Sequence, residues 1–460
     1  MIPKQIFREY DVRGDAEKHL GSDLFRALGV AFAERIGKAK ATVALGRDCR
    51  LSSPRLHEAL LDGLLRAGLD VVDVGIGPTP MLYFAVHHLE VDGGLMITGS
   101  HNPGGENGVK MLRRTGSIFG EEIQQLREAI EKLMGGALPD GARGKVTARD
   151  VQPAYVDYMK SNLKLATTDV PLVVDAGNGS AGPLAIRTME ALGLKPVQLF
   201  CEMDGKFPNH HPDPTQPENV AALIAKVRET KSRVGIAYDG DGDRLGAIDA
   251  DGSIVWGDRL LTLFARDILS TTPGAAILGE VKCSQTMYDD IAKHGGRPIV
   301  WKTGHSLIKA KMKEEHALLA GEMSGHLFFA DRYFGYDDAI YASLRLVEIL
   351  ARTGKTIGEL LADLPVTFVT PEIRVDCPDA VKFDVVADVR TYFQKALGRD
   401  HVLDIDGARM QFEHGWGLVR ASNTQAALVV RFEANTETRR DDYRHRVEVA
   451  IADARRSRGA

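Results

Sequence analysis

A chain of 460 residues is too long for one ordinary core, so about three or four domains are expected. Its 44% hydrophobic and 26% charged residues are those of a soluble globular protein. A net charge of −5 gives no electrostatic reason to expect nucleic acid or an anionic membrane as partner. An anionic small molecule would need only a local cationic cleft.

The chain opens Met1-Ile2-Pro3-Lys4-Gln5, without the apolar stretch of a secretory signal. No segment has the roughly 20 consecutive apolar residues that span a bilayer. Cys49, Cys201, Cys283 and Cys377 are scattered, which argues against a disulfide or zinc framework and fits a reducing, cytoplasmic setting.

Strand and helix signals alternate from the start. Thr42-Val43-Ala44-Leu45 is a short apolar run stopped by Gly46-Arg47-Asp48. Ser52-Ser53-Pro54 then opens a helix with Leu56, Leu60 and Leu64 on one face. Val71–Val74 and Gly94–Ile97 read as further strands, giving a βαβαβ pattern and a mostly parallel sheet. The stretch Met134–Gly141 reads as an exposed connection.

A second cycle follows, with a strand at Leu172–Val174, helices near 182–192 and 218–230, and a strand over Arg233–Tyr238. A third has strands at Ala276–Leu278, Pro298–Trp301 and Leu318–Ala320, with helices near 285–294 and 305–314. The tail changes character. Gly417–Arg420 and Ala427–Arg431 form a strand pair, and a charged helix runs from Arg439 to Arg456. The expected class is α/β: three similar units with mixed, mostly parallel sheets at 1–150, 151–250 and 251–365, then a smaller α+β unit at 366–460.

Four short segments carry chemistry. Tyr238-Asp239-Gly240-Asp241-Gly242-Asp243-Arg244 places three carboxylates at alternate positions past a strand end, where α/β proteins put their sites. Like charges this close repel unless a cation joins them. An EF-hand would need Gly and Glu where Arg244 and Ala250 stand, so Mg²⁺ suits the loop better than calcium. A glycine-rich turn with solvated acids would leave the third acid unexplained.

Thr98-Gly99-Ser100-His101-Asn102-Pro103-Gly104-Gly105 offers a nucleophilic hydroxyl beside an imidazole, and equally makes a good tight turn. Gly321-Glu322-Met323-Ser324-Gly325-His326 has a carboxylate, hydroxyl and imidazole suited to hydrogen bonding a polyol, and equally reads as a turn with a structural histidine. Arg420-Ala421-Ser422-Asn423-Thr424 supplies the donors of a phosphate cradle, though it also reads as an ordinary hairpin turn.

These segments, together with Tyr10-Asp11-Val12-Arg13-Gly14 and Pro208–Pro214, resemble the α-D-phosphohexomutase superfamily in order and over nearly the whole chain. The likeness is to its bacterial phosphomannomutase/phosphoglucomutase branch. The resemblance implies four domains around a central cleft, each contributing one loop. It implies a phosphorylated Ser100, with Mg²⁺ held by Asp239, Asp241, Asp243 and the Ser100 phosphate. Glu322 and Ser324, in a loop with Met323 and Gly325, would hold sugar hydroxyls. Arg420, Ala421, Ser422, Asn423 and Thr424 would hold the phosphate that is not reacting. Tyr10, Arg13, Lys110, Arg244, Lys282, His305 and His326 would line the cleft. Ser100, Arg13, Lys110, Arg244 and His305 form the expected catalytic set, with His305 or Lys110 as general base.

The implied reaction moves a phosphoryl group between C1 and C6 of mannose or glucose phosphates through a hexose 1,6-bisphosphate, which also acts as activator. Small hexose phosphates are the expected partners, for a monomer or dimer. Gln425-Ala426 stands where the family often has Glu-Pro, and Val12 where Ile is common. The alternatives are a phosphoglucosamine mutase, disfavoured by Gly99 and Met323, an aspartyl-type sugar phosphatase using Asp239, and a non-catalytic sugar-phosphate sensor.

Overall fold

In the computed structural model, which describes residues 2–38, 40–139, 143–422 and 426–459, the chain is organised around four sheets. Runs that read as uniformly apolar become central strands. Gly93–Ile97 and Thr42–Arg47 pair in parallel near the middle of the first sheet, which explains why they show no polar alternation. The order across this sheet is Val12–Asp15, Glu106–Arg113, Gly93–Ile97, Thr42–Arg47, Asp70–Ile76, Val146–Ala148, with the first two antiparallel to their neighbours. The leucines of helix Ser53–Arg66 are buried as their spacing requires. That helix crosses Ser22–Ile36 closely: a Cβ on Gly63 would lie 2.0 Å from the Arg26 carbonyl oxygen, so only glycine fits there.

The second sheet runs Ile254–Val255, Leu245–Asp249, Val234–Tyr238, Leu172–Asp175, Val197–Leu199. The third runs Arg297–Trp301, Ala276–Glu280, Leu319–Gly321, Leu327–Phe329. The fourth is antiparallel throughout and carries helices Lys382–Leu397 and Glu437–Ser457. The helical stretch near 218–230 is divided into a 3₁₀ turn, Pro217–Val220, and an α-helix, Ala221–Thr230.

One feature recurs in all four sheets. A strand turns back through a short loop into an antiparallel neighbour, with Ile97 opposite Val109, Tyr238 opposite Leu245, Gly321 opposite Leu327 and Ala421 opposite Leu428. Three of the chemistry-bearing segments occupy the first three of these turns, and the fourth leads into the last with Arg420, Ala421 and Ser422.

Each of the first three sheets packs one face on an apolar cluster of its own and shares another with its neighbours. A continuous apolar cluster runs from Leu82 and Phe84 through Tyr155, Ala185 and Leu261 to Ile340 and Leu344. Helix Ala339–Thr353 lies at its centre, capped by the Asp338 side chain, which accepts from the Tyr341 N–H. The C-terminal sheet has its own core around Val385, Met410, Phe432 and Val447. It docks on the third unit through Trp416 and Leu418 against Val281. Buried Arg409 donates there to the Val281 and Cys283 carbonyls at 2.9 and 3.0 Å. Among the described residues all four cysteines are free thiols, and no helix is long and apolar enough to cross a membrane.

Candidate active site

Ser100 sits at the C-terminal end of strand Gly93–Ile97 with φ +50°, in the left-handed region that a residue with a side chain seldom occupies. Its neighbours hold it there. The Ser100 N–H donates to Thr98 Oγ1 at 2.8 Å, and the Gly99 N–H to Asp48 Oδ2 at 3.1 Å. Arg50, wholly buried, donates to the carbonyls of Ser100, Asn102, Pro103 and Glu106 at 2.6–3.0 Å and pairs with Asp48. Strain at a functional turn persists only where surrounding contacts over-determine it, and this guanidinium supplies them. Ser100 Oγ is thereby set 3.2 Å from Asp239 Oδ2 and 3.1 Å from His101 Nδ1.

Arg50→Ala should therefore take the ion partner from Asp48 and a donor from each of four carbonyls, with an expected loss of about 3 kcal/mol in stability. Chemical denaturation measures that loss. A fall in kcat beyond tenfold is expected in the fraction that remains folded, because the serine loop relaxes. Wild-type values of both would refute the role given to Arg50.

The acidic turn faces this serine. Asp239, Asp241 and Asp243 are fully buried, and ligand oxygens from the three lie within 4.8 Å of one another. Asp239 Oδ1 accepts the N–H groups of Asp243 and Arg244, both at 3.1 Å, which folds the turn. Asp241 Oδ2 accepts from Thr79 Oγ1 at 2.5 Å, Thr98 Oγ1 at 3.1 Å and Lys110 Nζ at 2.8 Å. Asp241 Oδ1 is buried with no partner. Burial and the Asp243 and Asp241 charges push the Asp239 carboxyl well above the usual carboxylate range. Burial pushes Asp243 the same way, but Lys110 and His326 hold it well below that range. A cation among the three would remove the repulsion that raises Asp239.

The third turn closes against the second. The Leu245 N–H donates to the Gly325 carbonyl at 3.0 Å, and Arg244 and His326 form a β-bridge. His326 spans the two turns, with Nδ1 2.7 Å from Glu322 Oε2 and Nε2 3.2 Å from Asp243 Oδ1. Burial opposes the imidazolium, yet Asp243 and Glu322 outweigh it and push His326 up to about 9. Glu322 also accepts the Gly304 N–H at 2.7 Å, and Ser324 Oγ lies 3.2 Å from His326 Nδ1. Met323 and Gly325 complete the turn, with the Met323 N–H 3.3 Å from Glu280 Oε1.

Cationic and aromatic groups complete the wall. Arg13 donates to Asn102 Oδ1 at 3.0 Å and pairs with Asp11. Tyr10 reaches from the first unit to the third, donating to the Thr303 carbonyl at 2.9 Å, and its ring lies 5.5 Å from that of His305. Gly304 has φ +133°, and a Cβ there would lie 2.2 Å from Tyr10 Oη, so this contact requires glycine. Burial and the positive charge of Lys309 push His305 well below the ordinary imidazole value. Burial works against the Lys110 ammonium, but Asp241 and Asp243 raise it well above the ordinary lysine value.

Lys282 Nζ pairs with Glu372 at 3.1 Å, and Arg420 Nε donates to Asp406 Oδ2 at 3.0 Å. Asp406 also accepts the Thr303 N–H at 3.0 Å, tying the fourth turn to the third unit. Ala421 ends its strand and the Ser422 N–H donates to the Ala427 carbonyl at 2.9 Å. Asn423, Thr424 and Gln425 lie outside the described residues.

Several residues at this site escaped sequence reasoning: Asp48, Arg50, Thr79, Asp337 and Asp406. Asp48 and Arg50 follow the strand Thr42–Arg47, so the strand-end rule could have found them. Thr79 and Asp337 carried no comparable signal.

Family models of phosphoglucomutase/phosphomannomutase match four consecutive stretches: alpha/beta/alpha domain I at residues 4–135, domain II at 153–252, domain III at 256–368 and the C-terminal domain at 372–450. The chain belongs to the phosphoglucomutase/phosphomannomutase family. A phosphomannomutase/phosphoglucomutase of Pseudomonas aeruginosa is 46% identical over 437 residues, covering 95% of this chain and 93% of that one. A phosphoglucomutase of Neisseria gonorrhoeae is 43% identical over 451 residues, covering 98% and 97%. The crystal structure of a phosphoglucomutase/phosphomannomutase family protein from Burkholderia thailandensis superposes with a TM-score of 0.92 at 43% identity, over 99% of this chain and 98% of that one. The enzyme is thus a hexose phosphate mutase, an isomerase with three α/β sheets and a C-terminal α+β unit.

Proposed function

We propose that this mutase interconverts the 1- and 6-phosphates of mannose and glucose by way of a phosphorylated Ser100 and a hexose 1,6-bisphosphate. The observation that carries the reading is the placement of Ser100 Oγ 3.2 Å from Asp239 Oδ2, at the edge of a buried acidic turn. The donor set fits Mg²⁺: all-oxygen, triply acidic, with the buried Asp241 Oδ1 lacking any other partner. Asp239, Asp241 and Asp243, with an oxygen on Ser100, would hold Mg²⁺, which when bound supplies Lewis-acid polarisation of a phosphoryl oxygen.

The chain's own groups fill the remaining roles in this reading. Arg13, Lys110 and Arg244 neutralise the oxygens of the migrating group, since phosphoryl transfer depends chiefly on positioning and charge. Lys110 is held protonated by two carboxylates, so proton acceptance falls to His305, whose imidazole burial keeps neutral. Glu322 and Ser324, oriented by Gly304 and His326, take sugar hydroxyls. Tyr10, Lys282, His326 and the Arg420–Thr424 turn bind the rest of the substrate, including its distal phosphate. The reading places the enzyme in the cytoplasm, as a monomer or dimer that needs neither nucleic acid nor membrane. It divides the chain at 1–150, 151–250, 251–365 and 366–460.

The test compares kcat/KM for glucose 1-phosphate, mannose 1-phosphate and glucosamine 1-phosphate with Mg²⁺ and bisphosphate activator. Glucose and mannose substrates present O3 and O4 alike and should agree within about tenfold, with glucosamine 1-phosphate at least about tenfold poorer than both. Preference for the amino sugar would move the enzyme to the phosphoglucosamine branch.

A further inference from the structure

A cavity of about 770 Å³ opens between the first and third units, and none of the four chemistry-bearing turns lines it. Its volume suits an organic ligand of drug size. Its walls carry four cationic side chains, Arg113, Arg114, Lys309 and Lys313, against one acid, Glu122. Glu122 is matched by Arg113. Arg114 is loosely paired with the Glu90 carboxylate and carbonyl, both at 3.5 Å and exposed, and Lys313 Nζ reaches the Thr115 carbonyl at 3.4 Å. Two cations therefore remain with weak partners at the rim.

Beside them lies an aromatic platform. Phe334 keeps 39% of its surface exposed, although its ring stacks on His87 at 4.9 Å and 16°. Tyr336 stacks on the same imidazole at 5.6 Å and 23°. Arg114 and the His87 stack line the same cavity. An exposed aromatic side chain and weakly paired cations lining one cavity suit a ligand that is aromatic at one end and anionic at the other. A hexose phosphate has no π-face to use Phe334. A nucleotide base does, and bases stack on aromatic rings whatever their sequence context.

We propose that this cavity binds a purine nucleoside phosphate, the base on the exposed surface of Phe334 and the phosphates on Arg114 and Lys313. The site communicates with the catalytic cluster by one ion pair. Lys309 lines the cavity, lies over the Tyr83 ring and donates to Asp337 Oδ1 at 2.9 Å. Asp337 is fully buried, its Oδ2 has no hydrogen-bond partner, and that oxygen lies 3.7 Å from His305 Nδ1 and 4.0 Å from His326 Nε2. An anion that draws Lys309 toward the cavity loosens Asp337, and with it His305, so occupancy lowers kcat.

The test is calorimetric titration of the intact enzyme with ADP and with GDP, and turnover measured with each. Saturable binding at or below about 1 mM is expected for both, with a fall in kcat. Phe334→Ala and the double variant Arg114→Glu/Lys313→Glu should each weaken binding at least about tenfold while leaving nucleotide-free turnover intact. Absence of binding to wild type overturns the proposal. So does unchanged affinity in both variants, displacement of ADP by glucose 1,6-bisphosphate, or equal affinity for inorganic diphosphate.

Discussion

Ser100→Ala is expected to lower kcat/KM by at least about 10⁴-fold, because in the proposed reaction the hydroxyl accepts and returns the phosphoryl moiety. The substitution is small and local. Ser100 is buried and already holds φ +50°, and its backbone is fixed by the Arg50 and Thr98 contacts, none of which uses its hydroxyl. Alanine at that φ is strained no more than serine, so the fold and the affinity for a hexose bisphosphate should survive. Intact-mass measurement after incubation with bisphosphate should find one phosphoryl group on the wild type and none on the variant. Turnover within tenfold of wild type would eliminate the phosphoserine route. His101, 3.1 Å from the hydroxyl, cannot replace it without moving the loop that Arg50 holds.

Asp241→Asn should remove metal dependence and most activity together, by about 10² to 10³-fold in kcat/KM, the several kcal/mol that a bound divalent cation contributes to phosphoryl transfer. Asparagine keeps the shape of the side chain. It can still accept from Thr79, Thr98 and Lys110 at the Oδ2 position, leaving the amide at the oxygen that has no partner. Stability without metal should change by only about 1 kcal/mol, since relief of repulsion against Asp239 and Asp243 offsets the weaker pairing with Lys110. The decisive measurement is Tm against MgCl₂. The wild-type Tm should climb with each decade of metal, as any ligand binding only the folded state requires, and the variant should stay flat. An undiminished rise in the variant would place the metal elsewhere.

Much of this site was legible in the chain. The alternate carboxylates of Asp239, Asp241 and Asp243 needed no partner to be recognised, because local charge density is a property of consecutive residues. The Ser100 and Glu322 turns were visible for a related reason: each ends an apolar run that could only be a strand, and strand ends carry sites in α/β folds. The leucine spacing of Ser53–Arg66 and the short runs of the parallel strands were equally plain, since each element's apolar pattern reports its own burial.

The rest depended on residues distant in sequence. Helix Ala339–Thr353 is buried along nearly its whole length, and the polar stripe its spacing shows meets buried ion-pair partners instead of solvent, with Arg345 and Glu348 both buried and paired. Arg50 looked like one arginine after a strand. Its four carbonyl partners are between 50 and 56 residues away and assemble only when the serine turn folds over it. Asp337 and Thr79 acquire meaning only through His305 and Asp241, which other elements bring to them. By itself, then, the sequence marked four candidate segments for the chemistry, because composition and periodicity act within a few residues. Tertiary structure decided how they meet: four strand-to-strand reversals, fastened by His326 and the Arg244 bridge, by Tyr10 on Thr303 and by Asp406 on Arg420. Hydrogen bonds between separate units follow from packing, and packing is not encoded at any single position.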